Sequence, residues 1–406
     1  MKEGYKETEL GSIPESWSVL KLKDLGEFKN GINKSKEDFG FGFPFVNLND
    51  VFENTLISNN INFNLVNCND NERLNYNLLK GDVLFIRSSV KPEGVGLTSI
   101  INSELKNTVY SGFIIRFRTN NDLVIQNDFK RYIFNENRFR QSLLSKSSIS
   151  ANTNINQESL NSLHVIIPPI DEQKVIADCL SIWDKSIEIQ IQLVKAKEER
   201  KKALMQQLLI GKKRLAGFND KWKELRLGDL FAERNEVKIT HLPLLSIGQG
   251  GVYPQTDSNK RDISNADKSK YKRIAVGDIG YNTMRMWQGR SALSDLEGIV
   301  SPAYTILIPK KNVNSYYFSL LFTTSKLKNL FWRNSQGLVD DTLNCKYKDF
   351  SKIKYLVPSF EEQNKIVDIL KIAEKEIQIE KQKLTYLQGQ KKALMQQLLT
   401  GKIRLV

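Results

Sequence analysis

Histidine, cysteine and long apolar runs are scarce in this chain of 406 residues, and each scarcity excludes a class of function. Neither of its two histidines, His164 and His241, lies near a candidate nucleophile in sequence, so a His–Ser or His–Cys mechanism is not expected. Three widely separated cysteines, Cys68, Cys179 and Cys345, indicate neither a disulfide framework nor a zinc site. The sequence has no run of eighteen apolar residues and no apolar segment in its opening MKEGYKETEL. We therefore expect a cytoplasmic protein with reduced thiols.

Positive charge, in contrast, is abundant. The chain has 60 Lys and Arg against 46 Asp and Glu, which gives a formal net charge of +14. Such an excess favours a polyanionic partner, and nucleic acid is the first candidate. The length is sufficient for two or three domains, each with its own core.

One segment of fifteen residues occurs twice with few changes. KKALMQQLLIGKKRL at 201–215 returns as KKALMQQLLTGKIRL at 391–405, a shift of 190 positions. The same shift aligns PPIDEQKVIADCL from 168 with PSFEEQNKIVDIL from 358, and weaker echoes pair WSVLKLKDL with WKELRLGDL and KGDVLF with VGDIGY. The chain thus consists of two tandem units, each a variable region followed by a repeated segment.

The repeated segments have the periodicity of helices that need a partner. Apolar side chains recur at alternating spacings of four and three, which predicts a coiled-coil stripe in each copy. Proline lies before each segment, acidic residues fill its first turn, and Gly211 or Gly401 lies where a left-handed C-terminal cap belongs. The predicted stripe residues are Ile176, Leu180, Trp183, Ile187, Leu204 and Leu208 in the first copy, and Ile366, Leu370, Ile377, Leu384, Leu394 and Leu398 in the second.

Charge indicates how the two helices pair. Residues 171–190 contain five acidic and two basic side chains, whereas 191–215 contain two acidic and eight basic. The second copy has six acidic and three basic side chains over 361–380, then no acidic and six basic over 381–406. An antiparallel pair places acidic beside basic segments, and a parallel pair places like beside like. We expect an antiparallel coiled coil that holds the variable regions at opposite ends of a rigid spacer.

The near identity of the two copies extends to polar residues that a coiled-coil core does not require. Repeated exposed Lys and Gln side chains indicate one surface that is presented twice to one kind of partner. The residues predicted for this surface are Lys201, Lys202, Gln206 and Gln207, with Lys391, Lys392, Gln396 and Gln397.

The whole layout resembles the specificity subunits of type I restriction-modification systems. It consists of a variable region, a Pro-x-x-(Asp/Glu)-Glu-Gln helix, a second variable region and a second helix that ends in LLTGKIRL. The resemblance implies an α+β fold with an internal pseudo-two-fold repeat: two α/β target recognition domains at 1–168 and 216–358, and spacer helices at 169–215 and 359–406. It also implies double-stranded DNA, two adenine-N6 methyltransferase subunits and the motor-nuclease restriction subunits as partners. S-adenosylmethionine, ATP and Mg²⁺ are then expected on those partner subunits, with no cofactor on this chain.

Within the variable regions, loop residues that can bond to base edges are the candidates for reading DNA. Two different readers indicate an asymmetric, bipartite target, since two identical readers on a dyad would recognise an inverted repeat. In the first region the candidates are Arg87, Ser88, Ser89 and Lys91, then Lys146, Ser147, Asn152 and Asn154. In the second they are Asn282, Thr283, Arg285, Gln288 and Arg290, then Arg333, Asn334 and Gln336. Each alone is more often a solvated residue or a phosphate contact, because most protein–DNA hydrogen bonds go to the backbone.

No catalytic motif is complete. FGFGFPF at 39–45 resembles a glycine-rich cofactor loop, but no Asn/Asp-Pro-Pro-aromatic motif follows it, and a turn at a strand entry is expected instead. Glu172-x-Lys174 resembles part of a nuclease site, yet the second copy has Asn364 in place of the lysine. The favoured function is a non-catalytic DNA-recognition subunit. The alternatives are a stand-alone bivalent DNA-binding protein of the same architecture and a nuclease.

Overall fold

A computed structural model describes residues 3–120, 124–239, 241–248, 250–257, 266–337, 339 and 342–405. The chain divides into two compact units, and each takes residues from separate parts of the sequence. Unit 1 is Met1–Gln190 with Lys383–Val406, and unit 2 is Ile191–Gln382. Each unit therefore contains one variable region, the front part of one repeated helix and the rear part of the other. The fold is mixed α+β with two domains.

The variable region of unit 1 is built of short strands and helices. Its strands are β1 (Tyr5–Thr8), β2 (Gly11–Pro14), β3 (Ser18–Lys21), β4 (Gly26–Asn30), β5 (Phe39–Val46), β6 (Leu56–Ile57), β7 (Asn64–Val66), β8 (Val83–Ile86), β9 (Ser88–Ser89), β10 (Thr98–Ile101), β11 (Val109–Tyr110), β12 (Ile114–Thr119), β13 (Ser148–Ile149), β14 (Thr153–Asn154) and β15 (His164–Ile167). Its helices are α1 (Leu22–Leu25), α2 (Leu48–Glu53), α3 (Asp70–Asn75), α4 (Asn127–Ile133), α5 (Asn137–Ser145) and α6 (Gln157–Asn161).

Among the residues that the structure describes, the variable region of unit 2 has fewer elements. Its strands are β16 (Lys223–Arg226), β17 (Phe231–Glu233), β18 (Leu245–Gly248), β19 (Gly251–Pro254), β20 (Lys272–Ile274), β21 (Ile279–Asn282), β22 (Ser291–Leu293), β23 (Gly298–Val300), β24 (Tyr304–Pro309) and β25 (Lys354–Val357). Its helices are α8 (Leu227–Leu230), α9 (Ser315–Leu321), α10 (Ser325–Asn334) and α11 (Tyr347–Phe350). The long repeated helices are α7 (Ile170–Leu208) and α12 (Phe360–Leu399).

The central sheets of the two units have the same strand order. If the four strands of each sheet are ranked by their position in the chain, both orders are 1-4-2-3. In unit 1 the order is β4-β12-β8-β10, with β6 added in parallel at the edge, and in unit 2 it is β17-β24-β21-β22. The four strands of each order are antiparallel. Apolar side chains from these strands and from the neighbouring helices form a large core in each unit, for example Phe85 and Phe117 in unit 1 and Phe231 and Tyr281 in unit 2.

The weak sequence echoes have structural explanations in this frame. WSVLKLKDL contributes β3, which pairs with β15, and WKELRLGDL contributes β16, which pairs with β25. In each variable region a strand near the beginning is therefore paired with a strand at the end. KGDVLF and VGDIGY contribute the turns before β8 and β21. In each turn a buried aspartate, Asp82 or Asp278, accepts a backbone N–H three residues before it at 2.8 Å and pairs with an arginine, Arg118 or Arg234.

The glycine-rich FGFGFPF segment lies inside β5 and not in a turn before it. Its pairing with β7 shifts register between Phe39 and Phe43, and Gly40 and Gly42 have φ of 101° and 98°. Positive φ of this size is readily adopted by glycine alone, so the glycines permit an irregularity within the strand. The expectation of a turn at the strand entry was wrong for that reason.

The predicted stripe faces the interior of the two units. Seven of its members are buried and five half-buried; the buried ones are Ile176, Leu180, Leu208, Ile366, Leu370, Ile377 and Leu398. In unit 1, Ile176 and Leu180 share a core with Leu398, and in unit 2, Leu208 shares one with Ile366 and Leu370. Front parts thus pack against rear parts of the other helix. A left-handed glycine follows the end of each helix, Gly211 with φ of 70° and Gly401 with φ of 67°.

Candidate DNA-binding and partner-binding surfaces

In unit 1 the structure joins the two stretches in which the candidate readers lie. The strand β9, Ser88–Ser89, pairs with β14, Thr153–Asn154, and β14 pairs with β13, so a small three-stranded sheet forms from residues 64 positions apart. The N–H of Ile155 donates to the carbonyl of Arg87 at 3.0 Å and continues this pairing. The predicted readers in these two stretches therefore belong to one surface. We call residues 87–91 and 146–154 the first reader surface.

The candidates on this surface are not equally available to a ligand. Lys91 and Asn152 are exposed. Arg87 is half-buried and its Nη1 donates to the carbonyl of Gly112 at 3.3 Å. The hydroxyl of Ser147 donates to Leu143, and the amide of Asn154 donates to the carbonyl of Asn152 at 2.9 Å. Of these five candidates, Lys91 and Asn152 are thus the most accessible polar side chains.

Lys146 lies at the end of α5, where its Nζ donates to the hydroxyl of Ser162 at 2.6 Å. It is exposed. A lysine in this position retains donors for a phosphate, since an ammonium has three.

Unit 2 joins its two candidate stretches in a corresponding way. The carbonyl of Thr283, directly after β21, accepts the N–H of Cys345 at 2.9 Å, and next to it Gln336 and Asn344 exchange backbone hydrogen bonds at 2.9 and 2.7 Å. We call residues 282–290 with 333–336 the second reader surface. Its loop turns through Gly289, whose φ of 74° is in the left-handed region.

On the second reader surface Arg290, Arg333 and Gln336 are exposed, and Arg285 and Gln288 are half-buried. Other candidates hold the loop together. Asn282 Oδ1 accepts the N–H of Met284 at 3.0 Å, and the hydroxyl of Thr283 donates to Ala303 at 3.0 Å. Asn334 Nδ2 donates to Leu330 at the end of α10.

Trp287 is half-buried, and its indole N–H donates to the carbonyl of Met284 at 3.1 Å. This hydrogen bond fixes the ring against its own loop, so the indole supports the loop and is not extended from it.

Sequence reasoning did not identify the pair Glu172 and Glu362 as the organising residues of the two units. Glu172 is 1% exposed and accepts from Trp17 Nε1 at 2.8 Å and from the guanidinium of Arg404 at 3.0 and 2.9 Å. Glu362 is 2% exposed and accepts from Trp222 at 3.0 Å and from Arg214 at 2.7 and 2.8 Å. Part of the signal was present, because Glu and Arg recur at the 190-residue shift, and Trp17 and Trp222 open the weaker echo of WSVLKLKDL and WKELRLGDL.

The glutamines after these glutamates are also buried and bonded. Gln173 donates to the carbonyls of Val124 and Pro168 and accepts the N–H of Gln126 at 2.9 Å. Gln363 donates to Pro358 at 3.1 Å and accepts the N–H of Asn314 at 3.0 Å. The Glu-Gln pair therefore joins each variable region to its helix. Because Arg404 neutralises Glu172, this carboxylate is not available as the metal ligand that the nuclease interpretation requires.

Two of the lysines predicted to face a partner bind within the chain instead. Lys201 forms an ion pair with Glu374 at 3.3 Å, and Lys391 forms one with Asp184, the residue that corresponds to Glu374 under the 190-residue shift. Hydrogen bonding from Tyr316, followed by the charge of Lys201, lowers the pKa of Glu374. The identity of Lys201 and Lys391 is thus explained by helix pairing, and the expectation that both are exposed was wrong.

The other predicted partner-binding side chains differ in exposure. Those exposed are Lys202, Gln206, Gln207, Lys392 and Gln397. Gln396 is half-buried, and its Oε1 accepts the N–H of Asn137 at the start of α5 at 2.9 Å.

Each unit also exposes apolar side chains on its helix segments that the heptad analysis did not consider. In unit 1, Ile182, Ile189 and Tyr386 are 64%, 66% and 64% exposed. In unit 2, Ile372 and Ile379 are 60% and 53% exposed. Ile182 and Ile189 align with Ile372 and Ile379 under the repeat, and the seven-residue spacing places each pair on one side of its helix. We call these five residues the outer stripe.

Among the described residues, no cluster of histidine, cysteine and carboxylate side chains has the arrangement of a metal site. None of the described helices has the length and hydropathy that a membrane span requires.

Comparisons with known proteins give a consistent result. A family model described as type I restriction modification DNA specificity domain matches residues 14–196 and again 219–388. A putative type I restriction enzyme MjaX specificity subunit of Methanocaldococcus jannaschii is 24% identical and covers 99% of this chain and 97% of its own. The EcoKI specificity subunit of Escherichia coli is 25% identical over 41% of this chain and 38% of its own.

Solved structures show the same fold. The HsdS subunit of Thermoanaerobacter tengcongensis matches with a TM-score of 0.50 at 14% identity and covers 96% of this chain and 98% of its own. A chain solved in work on complex assembly and conformational transition of the type I R-M system matches with a TM-score of 0.61 at 13% identity, covering 96% of this chain and 99% of its own.

Proposed function

Because the chain belongs to the type I restriction-modification DNA specificity family, we propose that it reads an asymmetric, bipartite DNA target for a methyltransferase and restriction complex. The first reader surface contacts one half of the target and the second contacts the other half. The paired repeated helices set the spacing between the halves. The chain itself supplies recognition and no catalysis.

One observation carries this proposal. Two units share a strand order and a buried Glu–Trp–Arg arrangement, yet present different side chains on the reader surfaces. Lys91, Lys146 and Asn152 are accessible in the first unit, and Arg290, Arg333 and Gln336 in the second. A common frame with different readers fits a target whose halves differ in sequence, since identical readers select identical half-sites.

The positive net charge of +14 supports contacts to the DNA backbone along both units. Arg, Gln and Asn on the reader surfaces match the side chains that bond bidentately to guanine and adenine in the major groove. Backbone contacts position the protein and the reader surfaces select the sequence.

Two adenine-N6 methyltransferase subunits are the proposed partners of the helices, one for each copy of the repeat. The outer stripe offers each partner apolar area, and Lys202, Gln206 and Gln207, or Lys392 and Gln397, offer polar contacts beside it. Large exposed apolar side chains that recur in register are typical of an interaction surface. Restriction subunits join this core, and S-adenosylmethionine, ATP and Mg²⁺ bind to the partner subunits.

Two measurements test the proposal. The purified chain is expected neither to methylate nor to cleave DNA with S-adenosylmethionine, ATP and Mg²⁺ present, and to capture two methyltransferase subunits on co-purification. Methylated adenines mapped in cells that contain the complex are expected in a split, asymmetric sequence. Turnover by the chain alone, or a palindromic target, would contradict the proposal.

A further inference from the structure

Exposed apolar side chains are concentrated at the first reader surface and in two residues beside it, Phe113 and Phe52. Val90 is 82% exposed, Phe113 is 58% exposed and Phe52 is 41% exposed. They line a pocket of about 500 Å³, to which Ser88, Ser89, Lys91, Glu93 and Asn152 contribute polar groups. Large apolar side chains that converge on one pocket in water are unfavourable unless a ligand covers them.

The pocket has a fixed shape. The residue pair Lys91 and Gly94 closes a single helical turn with a hydrogen bond of 3.0 Å, and the carbonyl of Phe113 accepts the N–H of Arg87 at 2.9 Å. A side-chain carbon at Gly94 would lie 2.3 Å from the Ser89 hydroxyl and 3.1 Å from the ring of Phe52. The loop therefore packs directly on the strand and on α2, so the pocket walls are held in place before any ligand binds.

The chemistry of the lining identifies the ligand. The C5 methyl of thymine is the apolar group that base edges present in the major groove, and aromatic and aliphatic side chains contact it. Asn152, exposed at the rim, matches the N6 and N7 atoms of the adenine in the same base pair. Glu93 also lines the pocket, and its carboxylate repels phosphates but accepts a hydrogen bond from an exocyclic amine. These features favour base edges over the DNA backbone.

We propose that this pocket reads A·T pairs in the first half of the target by contact with thymine methyl groups. The inference rests on the DNA-reading function proposed above and adds the base class that the first unit selects. The second reader surface differs, because its loop has Arg285, Gln288 and Arg290 along with Met284, which is 44% exposed. Arginine at this position matches guanine, so the two halves of the target are read by different chemistry.

Deoxyuridine provides the sharpest test, since it pairs as thymine does but lacks the methyl group. Duplexes selected by the full chain from a random pool are remade with deoxyuridine at each thymine in turn, and binding of the full chain is measured. We expect affinity to fall about fourfold for each contacted methyl removed, at positions confined to one half of the target.

The same series is repeated with Phe113→Ser and Val90→Ser, both of which replace exposed side chains and leave the core intact. Each variant is expected to bind duplexes that contain deoxyuridine as tightly as duplexes that contain thymine. Met284→Ser on the second reader surface is the matched control and should retain the full penalty. Circular dichroism and thermal unfolding verify that all three variants fold.

The outcomes separate the two proposals. If the full chain selects no sequence at all, the DNA-reading function fails. If it selects a sequence but tolerates deoxyuridine at every position, or if both pocket variants retain the penalty, only the thymine inference fails. Variants that lose capture of a methyltransferase while they select the same DNA would instead show that the pocket binds protein.

Discussion

Glu172 is buried beneath Arg404, a residue 232 positions later in the chain, and the two are joined by hydrogen bonds of 3.0 and 2.9 Å. Unit 2 repeats the arrangement with Glu362 and Arg214. A carboxylate removed from water is stable only with good partners. Each of these pairs therefore locks the end of one repeated helix to the beginning of the other.

Arg404→Ala is expected to lower the free energy of unfolding of unit 1 by about 3 kcal/mol. Removal of one partner from a buried pair costs about 3–5 kcal/mol, and the lower figure applies because the Arg404 side chain is 35% exposed. Hydrogen exchange reports the two units separately. Arg214→Ala should weaken unit 2 instead, and Lys402→Ala, an exposed neighbour, is the control. An effect of Arg404→Ala no larger than that of Lys402→Ala would contradict the role of the pair.

Binding to DNA should depend steeply on salt. The net charge of +14 implies that several phosphates are neutralised, with the release of their counterions. We expect an affinity loss of about three decades between roughly 50 and 200 mM salt, measured by fluorescence anisotropy with a labelled duplex. A flat response would show that the positive charge does not face DNA.

Arg285→Ala should relax base preference in the second half of the target only. A bidentate contact to guanine contributes roughly 1–3 kcal/mol of discrimination. Selection of bound sequences from a random pool measures the preference at every position, and Lys311→Ala, an exposed lysine of the same unit, is the control. Equal weakening for all sequences would assign Arg285 to a phosphate.

Cys345 should resist thiol reagents while the protein is folded. Burial, and then the nearby charge of Asp349, raises the pKa of its thiol to about 12. The thiolate is the reactive species, so labelling at pH 8 is expected only after unfolding. Because the folded pKa exceeds the ordinary value of 9.0, this group favours unfolding as the pH rises from about 9 to 12.

Half-buried Cys179 provides the internal comparison and should label in the folded protein. Mass spectrometry of Ellman-treated protein distinguishes the two positions. Rapid labelling of Cys345 at pH 8 would show that the core of unit 2 opens readily.

Truncation after Leu215 should produce a two-fold dimer. The fragment lacks Leu398, Leu399 and Arg404, which complete the core of unit 1 and neutralise Glu172. Leu208, Leu209 and Arg214 of a second copy can take these places, because in unit 2 the same three residues complete the core and neutralise Glu362.

Light scattering measures the mass of this fragment, and methylation mapping of the rebuilt complex measures its target. Two identical readers should select the first half-site followed by its inverted complement. A soluble monomer, or retention of the asymmetric target, would show that the two copies of the repeat are not interchangeable.

The sequence was sufficient for the features that repeat. The shift of 190 positions predicted the family, the two-domain α+β fold and two helices whose observed bounds are Ile170–Leu208 and Phe360–Leu399. Periodic burial and helix ends are local properties, and both can be read from residue spacing. The repeat also contained the Glu and the Arg of the Glu–Trp–Arg arrangement, although nothing in the spacing alone showed that Glu172 meets Arg404.

The reader surfaces were harder to predict, because their geometry depends on pairing between distant strands. Ser88 and Asn154 were each selected as loop residues, and only the β9–β14 pairing shows that they lie side by side. Val90 and Phe113 were missed altogether, since selection by hydrogen-bonding chemistry overlooks apolar side chains. Composition likewise did not separate Lys391, which pairs with Asp184, from its exposed neighbour Lys392.

The division of each unit between distant segments has a consequence for synthesis on the ribosome. Unit 1 needs Lys383–Val406 to complete its core, so it stays unfinished while residues 191–382 are made. At about 5–20 residues per second this interval lasts roughly 10–40 s. During that time Ile176 and Leu180 lack their final partners, and the emerging rear part of α7 offers a substitute of nearly identical sequence. Correct assembly is therefore a competition within the nascent chain, and it is decided when Leu398 and Leu399 emerge.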